Sequence, residues 1–258
     1  DIIMEQLRVL VTGGAGFIGS HIVETLLPQV KMVRVFDNLS TGSMDNLKPL
    51  MERYDNLEFV YGNVYDLEVC RSAVKDIDVI CHQAALGSVP RSIANPLASH
   101  KSNVEGFITM LVAANEAGIK RFVYASSSSV YGTNSESIKI EDENGLTLSP
   151  YAATKYIDEI YAGNFHRVFG METIGLRYFN IFGPRQSPNG PYAAVIPKFM
   201  SALKNNTSPI INGDGSYSRD FTYVANAVQA NIKALTTTNS KAFGSVFNVG
   251  CSKPLQMR

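Results

Sequence analysis

Leu7-Arg8-Val9-Leu10-Val11-Thr12-Gly13-Gly14-Ala15-Gly16-Phe17-Ile18-Gly19 is the stretch from which the fold of this chain can be read. Leu7–Thr12 is apolar enough for a buried strand, and Gly16 to Leu27, closed by Pro28, reads as a helix. Three glycines at three-residue spacing join them. Gly13 permits a tight turn out of the strand, Gly16 lets the backbone approach a pyrophosphate, and Gly19 allows helix and sheet to pack closely. The first helical turn, with Phe17 and Ile18, offers N–H donors and the positive end of a helix dipole to a bound phosphate.

Met32–Phe36 reads as the second strand and ends at Asp37. A carboxylate there accepts bonds from both ribose hydroxyls of an adenosine and repels a 2′-phosphate. No arginine follows it directly, so the expected cofactor is NAD, with Asn38 beside the ribose. Leu57–Tyr61, Val79–Cys81, Phe122–Ala125 and Glu172–Arg177 are further strands. Helical patterns lie between them. One carries Val104, Phe107, Ile108, Leu111 and Val112 on one face, and another is opened by Ser149-Pro150 and runs to about Phe169. Alternating strands and helices predict an α/β fold, a Rossmann-type doubly wound parallel sheet. Residues 1–179 are expected to form the NAD-binding domain. Pro184, Pro188, Gly190, Pro191 and Pro197, then a polar stretch from Asn205 to Arg219, point to a smaller C-terminal substrate lobe over residues 180–243. Val246–Val249, within 244–258, is expected to return to the sheet as a late strand.

Composition narrows the partners. The 258 residues are 45% apolar and 18% charged, and Lys plus Arg equals Asp plus Glu at 23 each. Such a balance gives no global field for nucleic acid or an anionic membrane. No run approaches the length of a membrane span, and the first residues lack the order of a signal peptide, so a soluble cytoplasmic protein is expected. Cys70, Cys81 and Cys251 are odd in number and widely spaced, and read as buried reduced thiols. His21, His82, His100 and His166 show no metal-ligand spacing; no metal is expected.

Tyr151 and Lys155 are four apart on one predicted helix, so their side chains leave the same face about one turn apart. A phenol is a poor base at neutral pH; a neighbouring ammonium favours its phenolate. Lys155 can also bond the nicotinamide ribose and fix the cofactor beside Tyr151. Ser126-Ser127-Ser128-Ser129 stands at the end of a strand, where a hydroxyl can hold the oxygen that Tyr151 deprotonates.

With Gly62-Asn63-Val64, Gln83-Ala84-Ala85, Asn103 and Tyr178-Phe179-Asn180, these motifs resemble the extended short-chain dehydrogenase/reductase superfamily. The resemblance implies that Val64 flanks the adenine and that Gln83, Ala84 and Ala85 line phosphates and ribose. Asn63, standing where an aspartate is usual, Asn103 and Tyr178 would complete the cofactor site, and Ser127 would be the catalytic serine with Tyr151 and Lys155. Dehydratases of this kind carry Asp-Glu after that position; here Ser128 and Ser129 stand there, on the substrate side, with neither acid nor base. His82–Ile93 and Asn189–Pro197 look like the bacterial UDP-N-acetylglucosamine 4-epimerases. That likeness implies a UDP-hexose substrate held by Asn180, Val195 and Asn212, with Arg219 on its diphosphate and Ser88 and Arg91 near the sugar. A guanidinium fork suits phosphate oxygens in any case. The implied activity is NAD-dependent 4-epimerisation of UDP-GlcNAc/UDP-GalNAc by an isomerase, in polysaccharide synthesis. UDP-GlcNAcA or UDP-glucuronate 4-epimerisation, a 4,6-dehydratase and a non-catalytic NAD or sugar-nucleotide binder are the alternatives. A homodimer packing the Val104–Ala114 and Tyr151–Phe169 helices is expected. Relatives run beyond Arg258, so the substrate lobe is expected to be incomplete.

Overall fold

In the computed structural model, which describes residues 3–189, 193–211 and 218–256, the glycine turn joins β1 (Arg8–Thr12) to α1 (Phe17–Leu26). β2 (Met32–Asp37), α2 (Lys48–Arg53), β3 (Leu57–Tyr61), α3 (Leu67–Ala73) and β4 (Val79–His82) follow. Two short helices, α4 (Val89–Ala94) and α5 (Pro96–His100), lead through a π-helical turn at Lys101–Glu105 into α6 (Gly106–Glu116). Then come β5 (Arg121–Ser127), α7 (Pro150–Phe169) and β6 (Glu172–Tyr178). The rest comprises β7 (Ile181–Phe182), α8 (Val195–Lys204), β8 (Ser218–Asp220), β9 (Thr222–Tyr223), α9 (Val224–Thr236), β10 (Ser245–Val249) and β11 (Pro254–Gln256).

Seven strands form one sheet in the order β10-β6-β5-β4-β1-β2-β3, every pair parallel. Because β1 lies between β4 and β2, the chain winds outward in both directions from it, and β10 does join late. β7 pairs with β9 and β11 with β8 in two small satellites. Alternate residues of each strand feed opposite layers. Val9, Val11, Val33, Val35, Cys81 and Val123 face one layer, packed with Ile22 and Leu26 of α1. Leu10, Phe36, Ile80, Phe122 and Tyr124 face the other, packed with Phe107 and Leu111 of α6. Burial on both faces explains why these strands read as continuous apolar runs. No helix among the described residues is long and apolar enough to cross a membrane.

Two expectations need correction. α9 falls inside the stretch assigned to the substrate lobe, yet Ala227, Val228 and Leu235 pack with α1 and the sheet strands in the first layer. Residues 224–236 therefore belong to the sheet's flanking layer, because their apolar face packs on β4, β5 and β6 beside α1. Cys70 and Cys81 are buried thiols, but Cys251 is exposed, beyond the last strand of the sheet.

Candidate active site

The site lies at the carboxyl ends of β1 and β4, where the chain's winding reverses. Gly13 takes φ +66°, and a Cβ there would sit 2.7 Å from the Ala84 backbone nitrogen. A Cβ on Gly19 would run into the Gly13 carbonyl. On Gly16 it would meet only the Gly13 carbonyl oxygen, at 3.2 Å, so the turn presents bare backbone to the cleft. Asp37, at the end of β2, is 7% exposed; its Oδ2 accepts from the Ala15 N–H (3.0 Å) and its Oδ1 from the Leu39 N–H (2.8 Å). Burial pushes its pKa above the ordinary carboxylate value, although those backbone bonds act in the opposite direction.

Thr12 ties the two central strands together. Its Oγ1 accepts from the N–H groups of Gln83 and Ala84, both at 3.2 Å, and shares a 2.8 Å bond with His82 Nδ1. Burial first, and the Lys155 charge second, push the His82 pKa down to about 3, so its ring is neutral. Beneath the cleft Tyr178 donates its hydroxyl proton to Gln83 Oε1 (2.8 Å) and accepts from Asn231 Nδ2 (2.7 Å), while Gln83 Nε2 donates to Asn231 Oδ1 (3.1 Å). This closed triangle fixes the side chain of Gln83.

α7 carries Tyr151 and Lys155. Its start is held by Ser149, whose Oγ accepts from the Ala152 N–H, and by Ser92, whose Oγ accepts from the Tyr151 N–H at 2.9 Å. Gly170, at φ 67°, closes the helix. Lys155 is 3% exposed and donates from Nζ to the Ala125 carbonyl at 3.1 Å. Tyr151 and Lys155 both line the cleft that the glycine turn opens, together with Asp37, Gln83 and Tyr178. Ser127 ends β5 opposite Tyr178 in the sheet register. Its Oγ accepts from the N–H (3.1 Å) and the hydroxyl (2.9 Å) of Ser129, which leaves its own proton for a ligand.

The arrangement is a nucleotide cradle joined to a Tyr–Lys couple in one groove, and residues 9–250 match the NAD dependent epimerase/dehydratase family. The chain belongs to that family. It is 43% identical to a UDP-N-acetylglucosamine 4-epimerase from Methanobrevibacter ruminantium, whose structure contains UDP-N-acetylmuramic acid; the match covers 98% of this chain and 79% of that one, with a TM-score of 0.92. It is also 37% identical to a UDP-glucose 4-epimerase of Mycolicibacterium smegmatis, over 95% of this chain and 77% of the other. DesIV, a dTDP-glucose 4,6-dehydratase from Streptomyces venezuelae crystallised with NAD, has a TM-score of 0.89 and 32% identity, covering 98% of this chain and 78% of its own.

NAD, the family's cofactor, fits the residues present. Gly13, Gly16, Phe17, Ile18, Gly19, Asp37, Asn38, Val64, Gln83, Ala84 and Ala85 line one continuous cleft with Tyr151, Lys155 and Tyr178. Asn63 stands behind it and accepts from Asn38 Nδ2 at 2.8 Å. Asn103 does not reach the cleft wall. It is 1% exposed, and its amide clamps the Leu86 backbone on both sides (2.7 and 3.1 Å) and bonds Thr154. The π-helical turn brings Ser102 to the wall in its place.

None of the expected substrate residues among the described residues lines this cleft. Ser88, at φ 91°, caps α4 by accepting from the Arg91 N–H. Ser128 and Ser129 lie in the 3-10 turn after β5. Asn180 donates to the Asp220 carbonyl at 3.1 Å, Val195 opens α8, and Arg219 is exposed on β8 with a bond to the Ser218 carbonyl. Asn212 lies outside the described residues. Sequence reading missed Thr12, Asn231 and Ser126. Thr12 and Ser126 stood inside motifs already read, whereas nothing local marks Asn231, which meets Gln83 across 148 residues.

Proposed function

We propose that this chain is an NAD-dependent UDP-hexose 4-epimerase whose substrate pair is UDP-GlcNAc and UDP-GalNAc. One observation carries the reading: Tyr151 and Lys155 share a cleft with the nucleotide cradle, while the turn after Ser127 offers only the hydroxyls of Ser128 and Ser129. Elimination of water from a sugar needs a group there that gives or takes a proton near neutral pH, and a serine does neither.

The Lys155 ammonium favours the phenolate of Tyr151, which takes the proton of the sugar C4 hydroxyl. Ser127 holds the same oxygen through its free proton. NAD, when bound, supplies the hydride acceptor and later the donor. The 4-keto sugar, turned about its bond to the diphosphate, presents its other face, and Tyr151 returns the proton. No net oxidation results. Arg219 and Asn180 are proposed to hold the UDP moiety, with Asn212 and Val195, and Ser88 and Arg91 to border the sugar. Likeness to the Methanobrevibacter enzyme supports the N-acetylated sugar. Tyr156, Ile160 and Tyr161 of α7 keep between 38% and 47% of their surface exposed, which supports a homodimer packed through this helix. The free thiols suit a reducing compartment such as the cytoplasm.

The test is incubation with UDP-GlcNAc, UDP-glucose and UDP-GlcNAcA, reading C4 configuration by NMR. Inversion of UDP-GlcNAc is expected, abolished in Tyr151→Phe while NAD still binds. A 4-keto-6-deoxy product, net NADH accumulation, or unchanged turnover in Tyr151→Phe would overturn the reading.

A further inference from the structure

The row of ionisable groups on α7 continues past Lys155. Asp158 follows Tyr151 at i+7 and Lys155 at i+3, so all three side chains leave one side of the helix. Asp158 is 1% exposed. Its Oδ2 lies 3.7 Å from Lys155 Nζ, within ion-pair reach but too far for a hydrogen bond, and neither carboxyl oxygen has a hydrogen-bond partner. The next residue shows how a buried structural carboxylate is normally held. Glu159 receives both forks of the Arg177 guanidinium, at 2.9 and 2.8 Å, and a third bond from the Ser126 hydroxyl. Asp158 has no such set of donors, so a role in packing alone does not account for an ionisable group there.

The surrounding charges are few. On its own helix Lys155 attracts a negative charge at Asp158 and Glu159 repels it. β5 contributes Tyr124, kept un-ionised by burial, and β6 contributes Arg177, already committed to Glu159. His82 on β4 is neutral. The helices packed on the other side of α7 bury Ser92, Ser99, Asn103 and the apolar face of α6, none of them charged. Burial accordingly drives the Asp158 pKa well above the usual carboxylate range, and Lys155 only partly offsets it.

We propose that Asp158 is a positioning residue of the Tyr151–Lys155 couple, a second anion that competes with the Tyr151 phenolate for the Lys155 ammonium. The face then carries one cation and two groups able to become anions, and a negative charge on Asp158 opposes one on Tyr151. The inference rests on the Tyr151–Lys155 couple proposed above, but its decisive test needs no sugar.

Tyrosinate absorbance of the NAD-loaded chain, minus that of Tyr151→Phe, reports ionisation of Tyr151 alone. Asp158→Asn and Asp158→Leu should each move its midpoint down by about one pH unit, the effect of a unit charge roughly 10 Å away at an effective dielectric near 20. The acid limb of kcat should move the same way, with KM little changed. A midpoint that stays put in either variant overturns the proposal, as does an acid limb of kcat that does not follow the midpoint; Asn keeps the volume and Leu the apolar fit, so the two variants do not share one folding defect. Absence of epimerase activity in the wild type would refute the reaction proposed above, and the titration would still decide the role of Asp158.

Discussion

Asp37→Ala is the sharpest test of the nucleotide end of the cleft. The carboxylate is turned toward the cleft by the Ala15 and Leu39 N–H groups, at 3.0 and 2.8 Å, which leaves further acceptor capacity on both oxygens for two ribose hydroxyls. Hydrogen bonds to a charged acceptor are each worth about 1.5–3 kcal/mol. Losing two at the low end removes about 3 kcal/mol, which weakens NAD binding on the order of 100-fold. The same change removes the charge that repels a 2′-phosphate, so preference for NAD over NADP should largely disappear. The pH dependence has a definite sign. Burial raises the Asp37 pKa, so the carboxylate takes up its proton above the ordinary 3.8, and NAD affinity should begin to fall at that higher pH as the solution is acidified. In the variant this dependence should be absent. Isothermal titration of NAD and NADP between pH 5 and pH 8 reads all three effects. An NAD affinity within threefold of wild type, or an unchanged NAD to NADP ratio, would refute the placement of the adenosine ribose against Asp37.

Two further substitutions probe what holds the site up. Arg177→Met leaves Glu159 buried with only Ser126 as donor and should cost about 3–5 kcal/mol in urea unfolding, while adding Glu159→Leu should restore at least about 2 kcal/mol; simple additivity of the two changes would contradict the pairing. Tyr178→Phe removes the hydroxyl between Gln83 and Asn231 and should cost about 1–3 kcal/mol while weakening NAD binding, with retained stability and affinity counting against the triangle.

What could be read from the sequence was local. The glycine turn, the acid at the end of β2 and the Tyr-x3-Lys spacing each constrain neighbours within a turn of helix or one strand end, so the residues carry their geometry with them. α9 was hidden for a different reason. Val224, Ala227, Val228, Ala234 and Leu235 have helical spacing, but Asn226, Gln229 and Asn231 interleave them after a proline-rich stretch, and the segment reads as lobe. Only the sheet face left open beside α1 explains where it goes. Asn103 shows the converse. It stood at the expected place in the chain, yet its amide is used up on the Leu86 backbone, a partner that no pattern in the sequence identifies. The Arg177–Glu159 pair, two charges in a strand and a helix with nothing in the sequence to join them, have side chains only 2% and 7% exposed. Asp158 was in plain view, at i+3 from Lys155, and only burial gives that spacing a meaning.

The same burial bears on how a single lysine would govern the cleft in the proposed reaction. Around Lys155, burial presses nearly every other ionisable group toward its neutral form: His82 is driven down to about 3, Cys81 up to about 12, and Tyr124, Tyr178 and Asp158 upward. Neutral dipoles screen a charge poorly in a dry interior, so a buried ammonium acts at longer range than an exposed one. A reaction that returns its proton and its hydride to the same molecule needs little more than that: one base whose charge is stabilised in place, and no second acid or base to divert the intermediate. Serines at 128 and 129 satisfy the second condition. Asp158 is placed to disturb the first, because in ionised form it would stand within 4 Å of the cation proposed to support the Tyr151 base.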